Sequence, residues 1–79
     1  MRNVMEQNDK YSFWKGVLEV KRKDQTSVRM EIMSALHITT MQAYRNRRAG
    51  KVVPTIDEKA AIDRIFFTYG VDNPWGGKE

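Results

Sequence analysis

The side chains most suited to chemistry in this sequence are basic, and they are concentrated in one stretch. Arg45, Arg47, Arg48 and Lys51 lie close together, and no acidic residue occurs between residues 32 and 56. Lysine and arginine bind anions, above all the phosphates of nucleic acids. The stretch therefore predicts an anion-binding surface, provided that the surrounding elements expose these side chains. In the alternative interpretation they form a solvated cationic face without a ligand.

Side chains that carry out covalent or metal chemistry are sparse. The chain has one histidine, His37, and no cysteine, and no carboxylate stands near His37 at the spacing of a metal ligand. No sequence signature joins Ser12, Ser27 or Ser34 to His37 and an acid, as a nucleophile would require. We therefore expect no catalytic residue, no metal, no cofactor and no enzyme activity.

Length and composition limit the fold. A chain of 79 residues forms one domain, and a domain of this size buries only about 60% of the surface that its unfolded form exposes. Without cysteines, helix packing has to stabilise the small core. The net charge of +4 and the pI of about 9.6 favour anionic partners. Since no apolar run approaches the ~20 residues of a membrane span and no signal peptide is apparent, we expect a cytoplasmic protein without membrane contact.

Apolar periodicity predicts the elements that position the basic stretch. Residues 1–10 lack it and are expected to be a mobile arm, residues 11–71 the folded domain, and residues 72–79 a turn-rich tail. A first helix is predicted after Tyr11, with Asp9 as a candidate cap and an apolar face formed by Phe13, Trp14, Val17 and Leu18. Residues 17–21 also fit a strand, and Gly16 weakens the helix prediction by ~1 kcal/mol.

Two further helices have clear apolar stripes. The second is capped by Asp24 or Ser27, ends near His37 and has its stripe at Val28, Ile32, Met33 and Leu36. The last begins at a capping box formed by Thr55 and Glu58 and stops at Gly70, with its stripe at Ala61, Ile62, Ile65, Phe66 and Tyr69. With the basic helix between them, these elements predict an all-α fold of four helices.

The basic helix is predicted to follow a short turn. Thr39 is the expected N-cap, the helix runs to about Ala49, and Gly50 is the expected left-handed residue after its end. His37 stands at the turn position where φ is often positive, a conformation that histidine tolerates better than most residues. Ile38 is expected to pack beneath the helix. Two helices joined in this way, the second basic, are a candidate helix-turn-helix.

The preferred rotation of the basic helix places one broad set of side chains outside: Thr40, Met41, Tyr44, Arg45, Arg47 and Arg48. The smaller set, Gln42, Ala43, Asn46 and Ala49, then faces the domain. The other rotation buries Met41 and Tyr44 and turns Gln42 and Arg45 outward. From Thr40 to Arg48 the axis advances ~12 Å, about the width of the major groove of B-DNA.

The outward side chains suggest a division of roles on duplex DNA. Thr39 and Thr40 open the helix, and the candidates for reading bases are Thr40, Met41, Tyr44 and Arg45, with Gln42 as an adenine partner. Arg47, Arg48 and Lys51 lie towards the end of the helix and are expected to contact phosphates, which sets register and salt dependence rather than specificity.

The sequence resembles the small helix-turn-helix proteins of the Cro and phage-repressor-like group, common as short bacterial and mobile-element proteins. The likeness spans residues 28–71 and rests on residues 29–33, His37-Ile38-Thr39, Ala43-Tyr44-Arg45, Gly50, Pro54, and a last helix through Ile62 and Ile65. The resemblance implies sequence-specific binding of double-stranded DNA by a small transcriptional regulator, often as a homodimer on a two-part site.

Other interpretations remain open from the residues alone. The basic face also fits a protein-interaction module with an acidic partner, or an RNA-binding protein, because every polyanion competes for such a surface. Trp75 either folds back over the first or fourth helix or anchors a second protomer or another protein, since tryptophan is favoured at interfaces. Phe67, which lies off the apolar stripe, is the other candidate for a protomer contact.

Overall fold

The computed structural model describes residues 9–77 and shows an all-α domain in that range. Its helices are α1 (Trp14–Glu19), α2 (Gln25–Leu36), α3 (Met41–Arg48) and α4 (Ile56–Thr68), with single 3₁₀ turns at Asp9–Tyr11 and Arg22–Asp24. The prediction of four helices is confirmed, and the strand alternative at residues 17–21 is wrong. Most of the predicted N-terminal arm, residues 1–8, lies outside the described residues. Within residues 9–77, no helix is long and apolar enough to cross a membrane.

The core lies between α2 and α4, which pack against each other. The predicted stripes of both helices are largely confirmed, since their buried members are Val28, Ile32, Leu36, Ile62, Ile65 and Phe66. Phe13 joins these helices to the rest of the domain. Its ring, 1% exposed, lies 5.9 Å from the ring of Phe66 and 6.1 Å from the rings of both Tyr44 and Trp75. Such tilted aromatic pairs add stability beyond their buried area.

The first helix differs from its prediction in two respects. Leu18 is 63% exposed, so its expected place on the buried face is wrong. The reason is the short length of α1, whose buried face is completed by Phe13, immediately before the helix, and by Val20, immediately after it. Asp9 does not cap α1, because it lies in the preceding 3₁₀ turn and Phe13 occupies the N-cap position without a side-chain hydrogen bond.

The C-terminal segment supplies the missing cap of α1. The backbone N–H groups of Lys15 and Gly16 donate to the carbonyls of Gly76 and Pro74 at 3.0 and 2.9 Å, and the N–H of Gly76 donates to the Ser12 carbonyl at 2.7 Å. These bonds satisfy donors that a helix N-terminus otherwise leaves unpaired. Residues 72–77, most of the predicted turn-rich tail, are therefore bound to the rest of the domain.

Gly16 makes this close approach possible. A Cβ atom on Gly16 would lie 2.8 Å from Cα of Pro74, still closer to its Cβ, and 3.0 Å from Cε1 of Phe66. Trp75 then folds back over the domain, where its Nε1–H donates to Asp63 at 2.6 Å. Of the two interpretations of Trp75, the structure supports the one in which it packs within its own chain.

Candidate nucleic-acid interface

A four-residue connection between α2 and α3 turns the chain sharply. His37 adopts the left-handed conformation, with φ 57° and ψ 41°, as expected for this position. The N–H of His37 donates to the Ser34 carbonyl at 3.2 Å, and that of Ile38 donates to the Met33 carbonyl at 3.0 Å. These are the two bonds of a Schellman motif. Ile38 packs against the core, as predicted, so the turn is fixed both by its backbone and by an apolar contact.

Thr40, and not Thr39, caps the basic helix. Thr40 has extended backbone angles, and its Oγ1 accepts the N–H of Ala43 at 3.1 Å. The predicted N-cap was thus wrong by one residue, because either threonine is chemically suitable and only the backbone path selects between them. At the other end, Gly50 is left-handed at φ 82°, and its N–H donates to the Arg47 carbonyl at 3.1 Å, which confirms the predicted end.

The preferred rotation of α3 is wrong at Tyr44. This side chain, only 3% exposed, packs against Phe13. A tyrosine ring buries far more apolar surface than Ala43 or Asn46, so the helix turns that residue inward. Tyr44 therefore has no access to a base edge. The alternative rotation holds in part, because Gln42 and Arg45 are exposed, yet Met41 also remains 38% exposed.

Arg47 is held by an acidic partner on α4. Its Nη1 and Nη2 donate to the two carboxylate oxygens of Glu58 at 2.9 and 3.3 Å. The same carboxylate accepts the Thr55 N–H at 3.0 Å and so completes the predicted capping box. Hydrogen bonds from Arg47, and then from Thr55, lower the pKa of Glu58 below its ordinary value. Arg47 thus joins α3 to α4, and the expected projection of this side chain towards phosphates is not observed.

Arg48 is also part of the attachment of α3. Its guanidinium lies 4.6 Å from the ring centroid of Trp14 and 5.4 Å from that of Tyr44. The carbonyl of Arg48 accepts the Phe13 N–H at 3.2 Å and the Ser12 hydroxyl at 2.9 Å. Cation–π contacts and buried hydrogen bonds of this kind favour a structural role. The predicted phosphate contact by Arg48 stays a prediction.

Arg29, on α2, reaches the start of α3 and was not among the predicted site residues. Its Nη1 lies 3.4 Å from Sδ of Met41 and 4.0 Å from Sδ of Met33. Arg29 precedes Met41 by twelve residues, so no local pattern in the sequence associates the two side chains. Only the fold of the chain, in which the turn places the start of α3 beside Arg29, brings them together.

We use the term α2–α3 surface for five residues on α2, in the turn and on α3: Arg29, Thr39, Met41, Gln42 and Arg45. Met41 and Arg45 are one helical turn apart, and Arg29 contacts Met41, so the surface is continuous. Gln42 adds an amide that donates to Asn46 at 3.1 Å. Within residues 9–77, neither Arg29 nor Arg45 forms an ion pair with a carboxylate. Lys51 is exposed just beyond the end of α3.

The part of the chain that the structure describes contains no group of three or more metal-ligating side chains placed to hold an ion. His37, the histidine of the turn, is exposed and has a structural role through its backbone conformation. Comparison of the chain with models of known protein families, with curated proteins and with solved structures gave no match.

Proposed function

We propose that this protein binds duplex DNA in a sequence-specific manner, with α2, the turn and α3 acting as a helix-turn-helix. The observation that carries the proposal is the α2–α3 surface, where an exposed helix start presents side chains suited to base edges beside an arginine without a carboxylate partner. The function that fits this arrangement best is that of a small transcriptional regulator of the phage, plasmid or mobile-element type, acting in the cytoplasm.

The chemistry of the surface supports this assignment. Arginine at position 45 suits guanine, glutamine at position 42 suits adenine, and the thioether of Met41 suits a thymine methyl group. Arg29 and Lys51 flank these side chains and supply charge for phosphates. The N-terminus of α3 adds its positive dipole end at Met41. The eight residues of α3 extend over ~12 Å, which matches the width of the major groove.

Two residues of α3 attach it to other elements and so fix its rotation. Tyr44 packs against Phe13, while Arg47 is bound to Glu58 on α4. Side chains that are held from the opposite side of a helix keep its exposed side in one orientation, which base recognition requires. Arg47 and Tyr44 are therefore positioning residues in this proposal.

The test is selection of bound sequences from a random duplex pool, with single-arginine variants. We expect Arg45→Ala to relax the preference at one base position by ~1–3 kcal/mol. We expect Arg29→Ala to weaken all sequences alike and to reduce the salt slope by about 1. Lys15→Ala is the charge control. It removes one positive charge from α1, outside the α2–α3 surface, together with an ion pair to Glu19 and a hydrogen bond to the Asn73 carbonyl, and it is expected to leave both properties unchanged.

Several outcomes contradict the proposal. If no sequence is enriched at moderate salt, sequence-specific recognition is refuted, and an acidic protein partner becomes the better explanation of the basic surface. Enrichment from an RNA pool but not from the duplex pool would assign the surface to RNA. Equal effects of Arg45→Ala and Lys15→Ala would show that DNA binding depends on net charge alone. Circular dichroism of each variant establishes that the fold is retained.

A further inference from the structure

Two amide side chains of α3 contact each other. Nε2 of Gln42 donates to Oδ1 of Asn46 at 3.1 Å, and the two residues are one helical turn apart. Gln42 is exposed, whereas Asn46 is half-buried and is not one of the five residues of the α2–α3 surface. The contact therefore joins Asn46 to the side chain that is proposed to meet adenine.

This contact fixes which atoms of Gln42 remain available to a ligand. A primary amide has two N–H donors and one carbonyl acceptor. Since one N–H of Gln42 is bound to Asn46, one N–H and Oε1 remain. Rotation of the Gln42 amide by 180° would bring Oε1 to Oδ1 of Asn46, and two acceptors form no hydrogen bond with each other. The orientation of Gln42 can therefore reverse only if Asn46 rotates as well.

The remaining donor and acceptor match one purine and not the other. In the major groove adenine presents N7, an acceptor, beside the N6 amino group, a donor, whereas guanine presents two acceptors, N7 and O6. A glutamine with one N–H and Oε1 available pairs with adenine through both atoms. Against guanine, Oε1 would face O6, and an acceptor buried without a donor lowers affinity. An amide that rotates freely discriminates less, because it can turn its N–H groups to the guanine acceptors.

We propose that Asn46 is a positioning residue that makes Gln42 select adenine over guanine. This inference rests on the proposed function, since it concerns a base that the α2–α3 surface reads. Asn46 acts through the amide of Gln42 and needs no contact of its own with DNA. Its effect is confined to the one base position that Gln42 meets, so the preference at the position read by Arg45 does not depend on it.

The free protein provides the first measurement, because the contact between the two amides does not require DNA. One side-chain N–H proton of Gln42 should show the NMR temperature coefficient of a hydrogen-bonded amide, and Asn46→Ala should abolish this property. Asn73→Ala is the matched control, since Asn73 contacts Lys15 through its backbone carbonyl, which alanine retains. If Asn46→Ala leaves the temperature coefficient unchanged, the contact does not restrain Gln42 and the proposal is overturned.

Binding to matched duplexes measures the selection itself. The duplex pool identifies the position at which Gln42→Ala loses a preference for A·T, and two duplexes that differ only by A·T or G·C at that position are compared. We expect Asn46→Ala to lower the ratio of the two affinities roughly 3–10-fold. Alanine is the better helix residue, so unfolding does not explain such a loss. Asn46→Asp offers acceptors only, so it should retain the ratio while its negative charge weakens binding of both duplexes.

The failure of this inference is distinguishable from the failure of the proposed function. If no duplex is enriched, the proposed function fails, and the assignment of a base to Gln42 fails with it. If duplexes are enriched but Gln42→Ala relaxes no A·T preference, or Asn46→Ala leaves the ratio unchanged, only the role of Asn46 is refuted. A shift of the Asn46→Asp variant towards G·C also refutes this role, because an acceptor at position 46 should hold Gln42 in the orientation that suits adenine.

Discussion

Replacing Gly16 by alanine tests the packing of the C-terminal segment against α1. In an exposed helix, this substitution stabilises the folded state by roughly 0.5–1 kcal/mol. In this protein the new methyl group would lie 2.8 Å from Cα of Pro74 and 3.0 Å from Cε1 of Phe66. Both distances are shorter than an ordinary carbon–carbon contact of about 3.5–4.0 Å. Gly16→Ala should therefore destabilise the protein, although helix propensity alone predicts the opposite sign.

The size of this destabilisation depends on the atoms that have to move to make room for the new methyl group. The atoms that face Gly16 belong to a proline backbone and to a core ring, so relief requires the C-terminal segment to shift by several tenths of an ångström or more. Overpacking of this kind costs ~1–3 kcal/mol, and subtraction of the helix-propensity gain leaves an expected loss of about 1–2 kcal/mol. For a domain of 79 residues, each 1 kcal/mol lowers Tm by about 4–8 °C.

Urea denaturation followed by circular dichroism measures the loss, and amide hydrogen exchange locates it. The N–H of Gly76, which donates to the Ser12 carbonyl at 2.7 Å, should exchange faster in the variant. If Gly16→Ala stabilises the full chain while the Gly76 amide stays protected, the packing argument is refuted.

Four other substitutions test the cap, the turn and the ion pair that hold α3. Glu58→Gln should lower the free energy of unfolding by ~1–2 kcal/mol at pH 7, because it weakens the capping box and the pair with Arg47. In the folded protein the pKa of Glu58 lies below its ordinary value of 4.5. The stabilisation by the Glu58 carboxylate is therefore present above pH 4.5 and is lost on acidification. Urea titrations should show a smaller difference in the free energy of unfolding between the unaltered protein and the variant at pH 3 than at pH 7. An equal difference at both pH values would contradict this. Thr40→Ala should cost ~1 kcal/mol in thermal unfolding, whereas Thr39→Ala should be nearly neutral, and equal losses would refute the cap assignment. His37→Gly should stabilise the protein by up to ~1 kcal/mol, because glycine adopts the left-handed conformation without the strain that a side chain causes. A lower Tm of this variant would refute the argument.

The starts and ends of most helices were predictable from sequence because their causes are local. The capping box at Thr55 and Glu58, the left-handed turn at His37 and the left-handed Gly50 all depend on residues within one helical turn of each other. The same locality explains the error at Thr39, because two adjacent threonines satisfy the same local rule. The candidate site was less predictable. Its exposed residues depend on how α3 is rotated, and that rotation is set by contacts with other elements.

Tyr44 shows most clearly why the rotation of α3 could not be predicted from the sequence. By helical spacing alone it belongs to a broad outward face with Arg45 and Arg48. The position of Phe13, some thirty residues earlier in the chain, turns it into the core. Arg47 was predicted to contact phosphates because it is basic. In the structure it forms an ion pair with Glu58, across the α3–α4 connection. Conversely, Arg29 gained a place at the α2–α3 surface through contact with Met41.

The sequence by itself determined that this protein is a small all-α domain with a basic third helix after a tight turn. Periodicity, caps and charge act over a few residues, and they suffice to define helices. The tertiary structure alone decided which basic side chains remain available, since ion pairs and ring contacts join residues distant in the chain. It also decided the role of Gly16, a poor helix residue whose missing side chain admits the C-terminal segment that caps α1.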